Sequence, residues 1–157
     1  MGKFNWKSFI KELNTPNNEI TYKLNSPCKK AEVFRAELRL NADFHEEFKE
    51  LYFQGNGICE FLNESHIGNL IMPIEEVIEI NLNFRKEEAF KDLYMPFDNL
   101  LFFGRAGNGD LFGFRILQNK ILESDVYVWN HEDDSRNWVA KDLVDFVKRW
   151  TSGQINI

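Results

Sequence analysis

Residues 95–114 read MPFDNLLFFGRAGNGDLFGF. Two apolar runs, Leu100 to Gly104 and Leu111 to Leu117, flank Gly107-Asn108-Gly109-Asp110. Residues that tolerate positive φ, set between two apolar runs, mark a tight β-hairpin. Leu100–Arg105 and Asp110–Leu117 are therefore expected to pair antiparallel about the glycine turn. The same glycines do not make a phosphate loop. Asp110, Leu111 and Phe112 follow where a dinucleotide fingerprint needs its third glycine and a helix, and no Walker lysine is present.

On the C-terminal side, Val126 to Asn130 predicts another strand and His131 to Arg136 a polar turn. Val139 to Trp150 predicts a closing helix with Val139, Leu143, Phe146, Val147 and Trp150 on one face. Trp129 shares a strand face with Tyr127, leaving Val126 and Val128 on the other. On the N-terminal side, Pro73 opens a helix that runs past Leu82 toward Phe84. Residues 58–62 and 67–72 are strands about Asn63-Glu64-Ser65. Asp43 with Glu46 reads as a capping box before a helix bearing Phe44, Phe48, Leu51 and Tyr52, which stops at Gly55-Asn56-Gly57. Ser26-Pro27 predicts the start of a helix to about Leu40, with Ala31, Val33, Phe34 and Leu38 inward. Ile20 to Leu24 is a short strand, and residues 4–13 form a short amphipathic helix carrying Trp6, Phe9, Ile10 and Leu13. Helices first, strands second and a helix last imply an α+β fold: an antiparallel sheet meander with helices packed over one face and a C-terminal helix. One domain is expected over 1–157, with its core at about 26–150.

The 157 residues suffice for one core, and 43% hydrophobic with 15% aromatic content can offset the ordering entropy. The net charge of −6, from 25 acids against 19 bases, argues against nucleic acid and against an anionic membrane surface. It permits a basic protein partner. Cys28 and Cys59 are too few for a disulfide framework and lack metal-ligand spacing, so a free-thiol, cytoplasmic protein is expected. No segment is apolar enough for a signal peptide or a membrane span, and the opening Met1-Gly2 is followed by Trp6 where acylation needs Ser or Thr.

His45, His66 and His131 sit in polar settings and are expected at the surface. Cys59 precedes His66 by seven residues, with no third group to orient a nucleophile pair. Glu75-Glu76-Glu79 and Glu132-Asp133-Asp134 lack the ligand order of a calcium loop and read as solvated faces. They also suit recognition of a basic protein surface. No catalytic set, metal or cofactor is expected, and the chain reads as a non-enzymatic binding domain. Its partner-binding candidates are Glu75, Glu76, Glu132, Asp133 and Asp134, with Trp129 as an anchor if its strand face is exposed.

Three segments in order carry a family resemblance. Asp43 to Gly57, with an aromatic-rich helix before Asn-Gly, is similar to the early landmark of the SUKH superfamily, the Smi/Knr-type domain. Residues 95–114 resemble its central hairpin, with an acidic residue near Asp110. Residues 126–150, VYVWNHEDDSRNWVAKDLVDFVKRW, are similar to its ending. The resemblance covers about 26–150, although residues 26–41 lack a clear Leu-Pro before the next helix and carry Asn41-Ala42 there. It implies an α+β fold without an enzymatic site. It further implies an immunity protein (antitoxin) that neutralises a polymorphic or contact-dependent toxin by direct binding. Such toxins include basic nuclease domains, which suit the −6 charge. The alternative implied is a regulatory scaffold linked to cell-wall synthesis control. Fungal regulators of that kind carry long disordered flanks, which these 157 residues lack, and this favours the immunity reading.

Overall fold

The computed structural model describes residues 3–157; Met1-Gly2, and with them the acylation reading, lie outside the described residues. Seven strands form one sheet whose spatial order is their chain order: β1 (Ile20–Leu24), β2 (Ile58–Leu62), β3 (Ser65–Ile71), β4 (Leu100–Arg105), β5 (Leu111–Arg115), β6 (Val126–Trp129) and β7 (Arg136–Ala140). Every neighbouring pair is antiparallel. Helices α1 (Trp6–Leu13), α2 (Lys30–Leu40), α3 (Glu46–Gln54), α4 (Ile74–Lys86), α5 (Glu88–Lys91) and α6 (Leu143–Thr151) complete an α+β fold.

The β4–β5 hairpin forms as its sequence predicts, from Leu100↔Arg115 to Arg105↔Leu111, with Gly107 and Gly109 at φ 91° and 105°. Despite a register shift between Phe102 and Gly104, Phe102 and Phe103 point to opposite faces, as strand neighbours do, and enter different aromatic clusters. Phe103, Phe112 and Phe114 meet Phe48 of α3 and Phe146 of α6. Phe102 and Trp129 meet Phe84 of α4, together with Phe97. Both faces of the central strands are thus buried. Each such ring contributes about 1.5–3 kcal/mol by leaving water.

Strand β4 outruns its neighbour. The β3–β4 register holds only Ile71↔Gly104, and Gly104 stands so close that a Cβ would lie 2.5 Å from the Leu70 carbonyl oxygen. Beyond it, Asn81 of α4 takes the place of a strand. Its Nδ2 donates to the carbonyls of Phe102 (2.8 Å) and Val77 (2.7 Å), and its Oδ1 accepts from the Phe102 N–H at 2.8 Å. Buried backbone groups need partners, and here one amide side chain supplies both.

Five local expectations are corrected. Residues 136–140 form β7, paired with β6 from Trp129↔Arg136 to Val126↔Ala140, and the closing helix starts only at Leu143 behind the Asp142 cap. Helix α2 begins at Lys30, because the extended segment before it is tied to α3 by the Cys28 N–H on the Tyr52 carbonyl at 2.8 Å. Helix α2 buries Val33, Ala36 and Leu40 and leaves Ala31, Phe34 and Leu38 exposed. Helix α3 is capped by His45, whose Nδ1 accepts the Phe48 N–H at 3.2 Å. Asp43 instead bonds through its backbone to Asn119 and Ile121. Of the two glycines after α3, Gly55 is extended and only Gly57 (φ 89°) uses the left-handed region.

Candidate protein-binding surface

The β6–β7 turn is built from side-chain caps. Asn130 Oδ1 accepts the Glu132 N–H at 2.8 Å, and Asp133 Oδ1 accepts the Ser135 N–H at 2.9 Å, the local bonding that favours Asn and Asp in turns. Asp134 takes a left-handed conformation (φ 61°), which a short polar side chain tolerates. Its carboxylate accepts from the Trp129 indole (2.7 Å), the Met95 N–H (2.9 Å) and Arg136 (3.1 Å). Burial pulls this carboxyl upward, but the Met95, Trp129 and Arg136 donors outweigh it and hold it below the ordinary carboxylate range. Arg136 also donates to the carbonyls of Met95 and Pro96 at 2.9 and 3.0 Å. Tyr94 donates from its hydroxyl to the His131 carbonyl at 3.0 Å. The turn and residues 94–97, far apart in sequence, are one rigid unit.

That unit sorts the predicted residues into two roles. Trp129 is 3% exposed, ringed by Phe84, Tyr94, Phe97 and Phe102, so it supports the surface from beneath. Asp134 is likewise turned inward as the clamp. Glu132 and Asp133 face solvent. Met95, 57% exposed and tied by its N–H to Asp134, stands at the rim of a cleft of about 260 Å3 walled by Phe84, Phe90, Tyr94 and Phe97 and also lined by Arg85, Glu87, Lys91 and Asp98. Glu75 and Glu76 lie at the other end of α4 from Phe84 and share no bond with the turn among the described residues. Glu75 is 3.8 Å from Arg35, and Glu76 accepts from Asn69 at 3.2 Å. Met95 and Arg136 escaped the sequence reading. A Leu-Tyr-Met-Pro segment has no period to mark it, and nothing local says that it docks on a turn some forty residues on.

Two histidines differ from expectation. His131 is hydrogen-bonded to the hairpin: its Nδ1 lies 2.6 Å from Asp110 Oδ1, and its backbone N–H donates to that oxygen at 3.1 Å. Asp110 is 3% exposed and also accepts Asn108 Nδ2 at 3.3 Å, so the pair locks the β4–β5 turn to the β6–β7 turn. His45 is half-buried with its ring edge on Phe114, and burial lowers its pKa. His66 is exposed and meets Asn69 rather than Cys59. Cys28 and Cys59 are free and buried, and burial with the neighbouring Glu32 pushes the Cys28 thiol up to about 12, far from a reactive thiolate. Among the described residues, no group of three or more His, Cys, Asp or Glu side chains is placed to hold a metal ion, and no helix is long and apolar enough to cross a membrane.

No curated protein matches the chain in sequence. The sequence profile of the SMI1-KNR4 cell-wall family, SUKH_6, matches residues 30–147, from the first turn of α2 into α6. That span takes in the hairpin, the acidic turn and the clamp between them, and the chain belongs to the SMI1-KNR4 cell-wall family.

Proposed function

We propose that this chain is an immunity protein, an antitoxin that neutralises a polymorphic or contact-dependent toxin by binding it, with no reaction of its own. The observation that carries the reading is the surface at the β6–β7 turn. Glu132 and Asp133 stand outward on the turn that holds exposed Met95, on a base fixed by Asp134, Trp129 and Arg136. A preorganised surface loses little freedom on binding, and an apolar centre with an acidic rim suits a basic protein domain such as a nuclease. The −6 net charge favours the same partner. Two free thiols suit a reducing compartment and support the reading of a cytoplasmic encounter. The toxin as partner rests on the resemblance to bacterial immunity members of the superfamily.

The test is recovery of partners by the tagged chain from its native host, together with deletion of its gene. The expected result is capture of a protein with a basic toxin domain, and killing of the deletion strain by sister cells. Capture of cell-wall synthesis factors, with a deletion strain that survives its sisters, sinks the immunity reading and leaves the regulatory scaffold.

A further inference from the structure

The helical layer has a gap between α1 and α6. Its floor is the β1–β2 ladder, where Tyr22 and Glu60 sit directly opposite each other. The gap is a groove of about 570 Å3, bounded by the 17–20 segment, the floor pair and the Trp150–Gly153 end of α6. That size is ordinary for a ligand site.

Two polar atoms in it make no hydrogen bond among the described residues. Tyr22 is 8% exposed, yet its hydroxyl makes no hydrogen bond among the described residues, whereas the hydroxyls of Tyr52 and Tyr94 are bonded to the carbonyls of Met72 and His131. The Tyr22 ring is buried while its hydroxyl opens into the groove, so the oxygen is free to accept from a ligand that displaces water there. Glu60 accepts the Trp150 indole N–H on Oε2 at 3.0 Å, and its Oε1 is open. Glu19 adds a second carboxylate to the lining, which holds no lysine, arginine or histidine. A half-free carboxylate, a phenol oxygen and an indole, with no base to balance them, are the parts of a cation site.

We propose that this groove binds an organic cation, a primary ammonium or a guanidinium, through Glu60 Oε1 and the Tyr22 hydroxyl oxygen, with the Trp150 ring as a wall. Burial raises the Glu60 carboxyl above its ordinary range, and the Trp150 hydrogen bond offsets only part of that. A cation beside it relieves this penalty, which supplies a driving force that a neutral ligand lacks. Burial, and then the charge of Glu60, push the Tyr22 hydroxyl up to about 12, so it stays neutral and its oxygen accepts. A bare metal ion is a poorer match, because one open carboxylate does not build a coordination shell.

The full chain is titrated with n-butylammonium, with methylguanidinium and with n-butanol as the neutral match, and nitrogen-edited NMR follows the indole N–H of Trp150. Both cations are expected to move that resonance saturably, and butanol is not. Glu60→Gln, which keeps an acceptor for Trp150, should weaken butylammonium binding about tenfold or more, and Tyr22→Phe several-fold. A blocked tripeptide with a central lysine, set against its norleucine match and against spermidine, distinguishes a protein side chain from a free amine; tighter binding of either supports the site. A Trp150 resonance unmoved by both cations, butanol binding as tightly as butylammonium, or full affinity in folded Glu60→Gln overturns it.

Discussion

Asp134 joins two parts of the chain through three donors, and its removal leaves the Trp129 indole, the Met95 N–H and an Arg136 nitrogen without their acceptor. Asp134→Ala should cost about 2–3 kcal/mol, read as a lower urea midpoint with an unchanged slope. The pH dependence follows from the depressed carboxyl. A group with a lowered folded pKa contributes fully above its unfolded value, about 3.9 for Asp, and loses that contribution as pH falls through the folded value. The stability gap between the parent and Asp134→Ala should therefore hold from neutral pH down to about 4, narrow below that, and close only once the pH has fallen through the depressed folded value. A gap independent of pH would mean that packing, not the carboxylate, makes the difference. The sequence placed Asp134 with Glu132 and Asp133 as one acidic cluster, because composition cannot say which of three neighbouring acids turns inward.

The β4–β5 hairpin was legible because turn chemistry is local: Gly107-Asn108-Gly109 fixes the reversal whatever surrounds it. Its two glycines do different work. A Cβ on Gly107 meets open space, while one on Gly109 would come within 2.9 Å of the His131 ring. Gly107→Ala should cost about 1 kcal/mol through backbone strain alone. Gly109→Ala should cost more, about 2–3 kcal/mol, and shift the His131 ring resonances by disturbing the Asp110 bond. Equal costs and an unmoved His131 would refute the lock between the two turns. Strand β7 was illegible for the opposite reason. Arg136-Asn137-Trp138-Val139-Ala140 is an edge strand with most of its side chains only partly buried or exposed, so no clean alternation separates it from the helix that follows. The inward face of α2 was misread because Ala36, the small residue that lets the helix lie close, outweighed the larger Phe34 and Leu38.

At the scale of the molecule, the α+β class and the meander could be read from element order, since sequential antiparallel neighbours are the simplest connection. The binding surface could not, because it joins residues 94–97 to residues 131–136, and only the folded sheet makes them adjacent. Charge reversal tests that surface while sparing its base. Glu132→Lys with Asp133→Asn, which keeps the acceptor for the Ser135 N–H, should slow association with the captured basic partner about tenfold at low salt and flatten the salt dependence, with dissociation and the melting temperature little changed. An unaltered association rate places the contact elsewhere. The strictly sequential sheet also sets how the protein answers to tension. Once α1 and the α6 end packed against β1 and β2 have peeled away, a pull on the two ends reaches β1 on one edge and β7 on the other and acts across the strands, along the hydrogen bonds. The load then falls on one pair of bonds at a time rather than on a whole ladder in shear. A machine that unravels proteins from a terminus meets a zipper, and the sheet should yield strand by strand at low force.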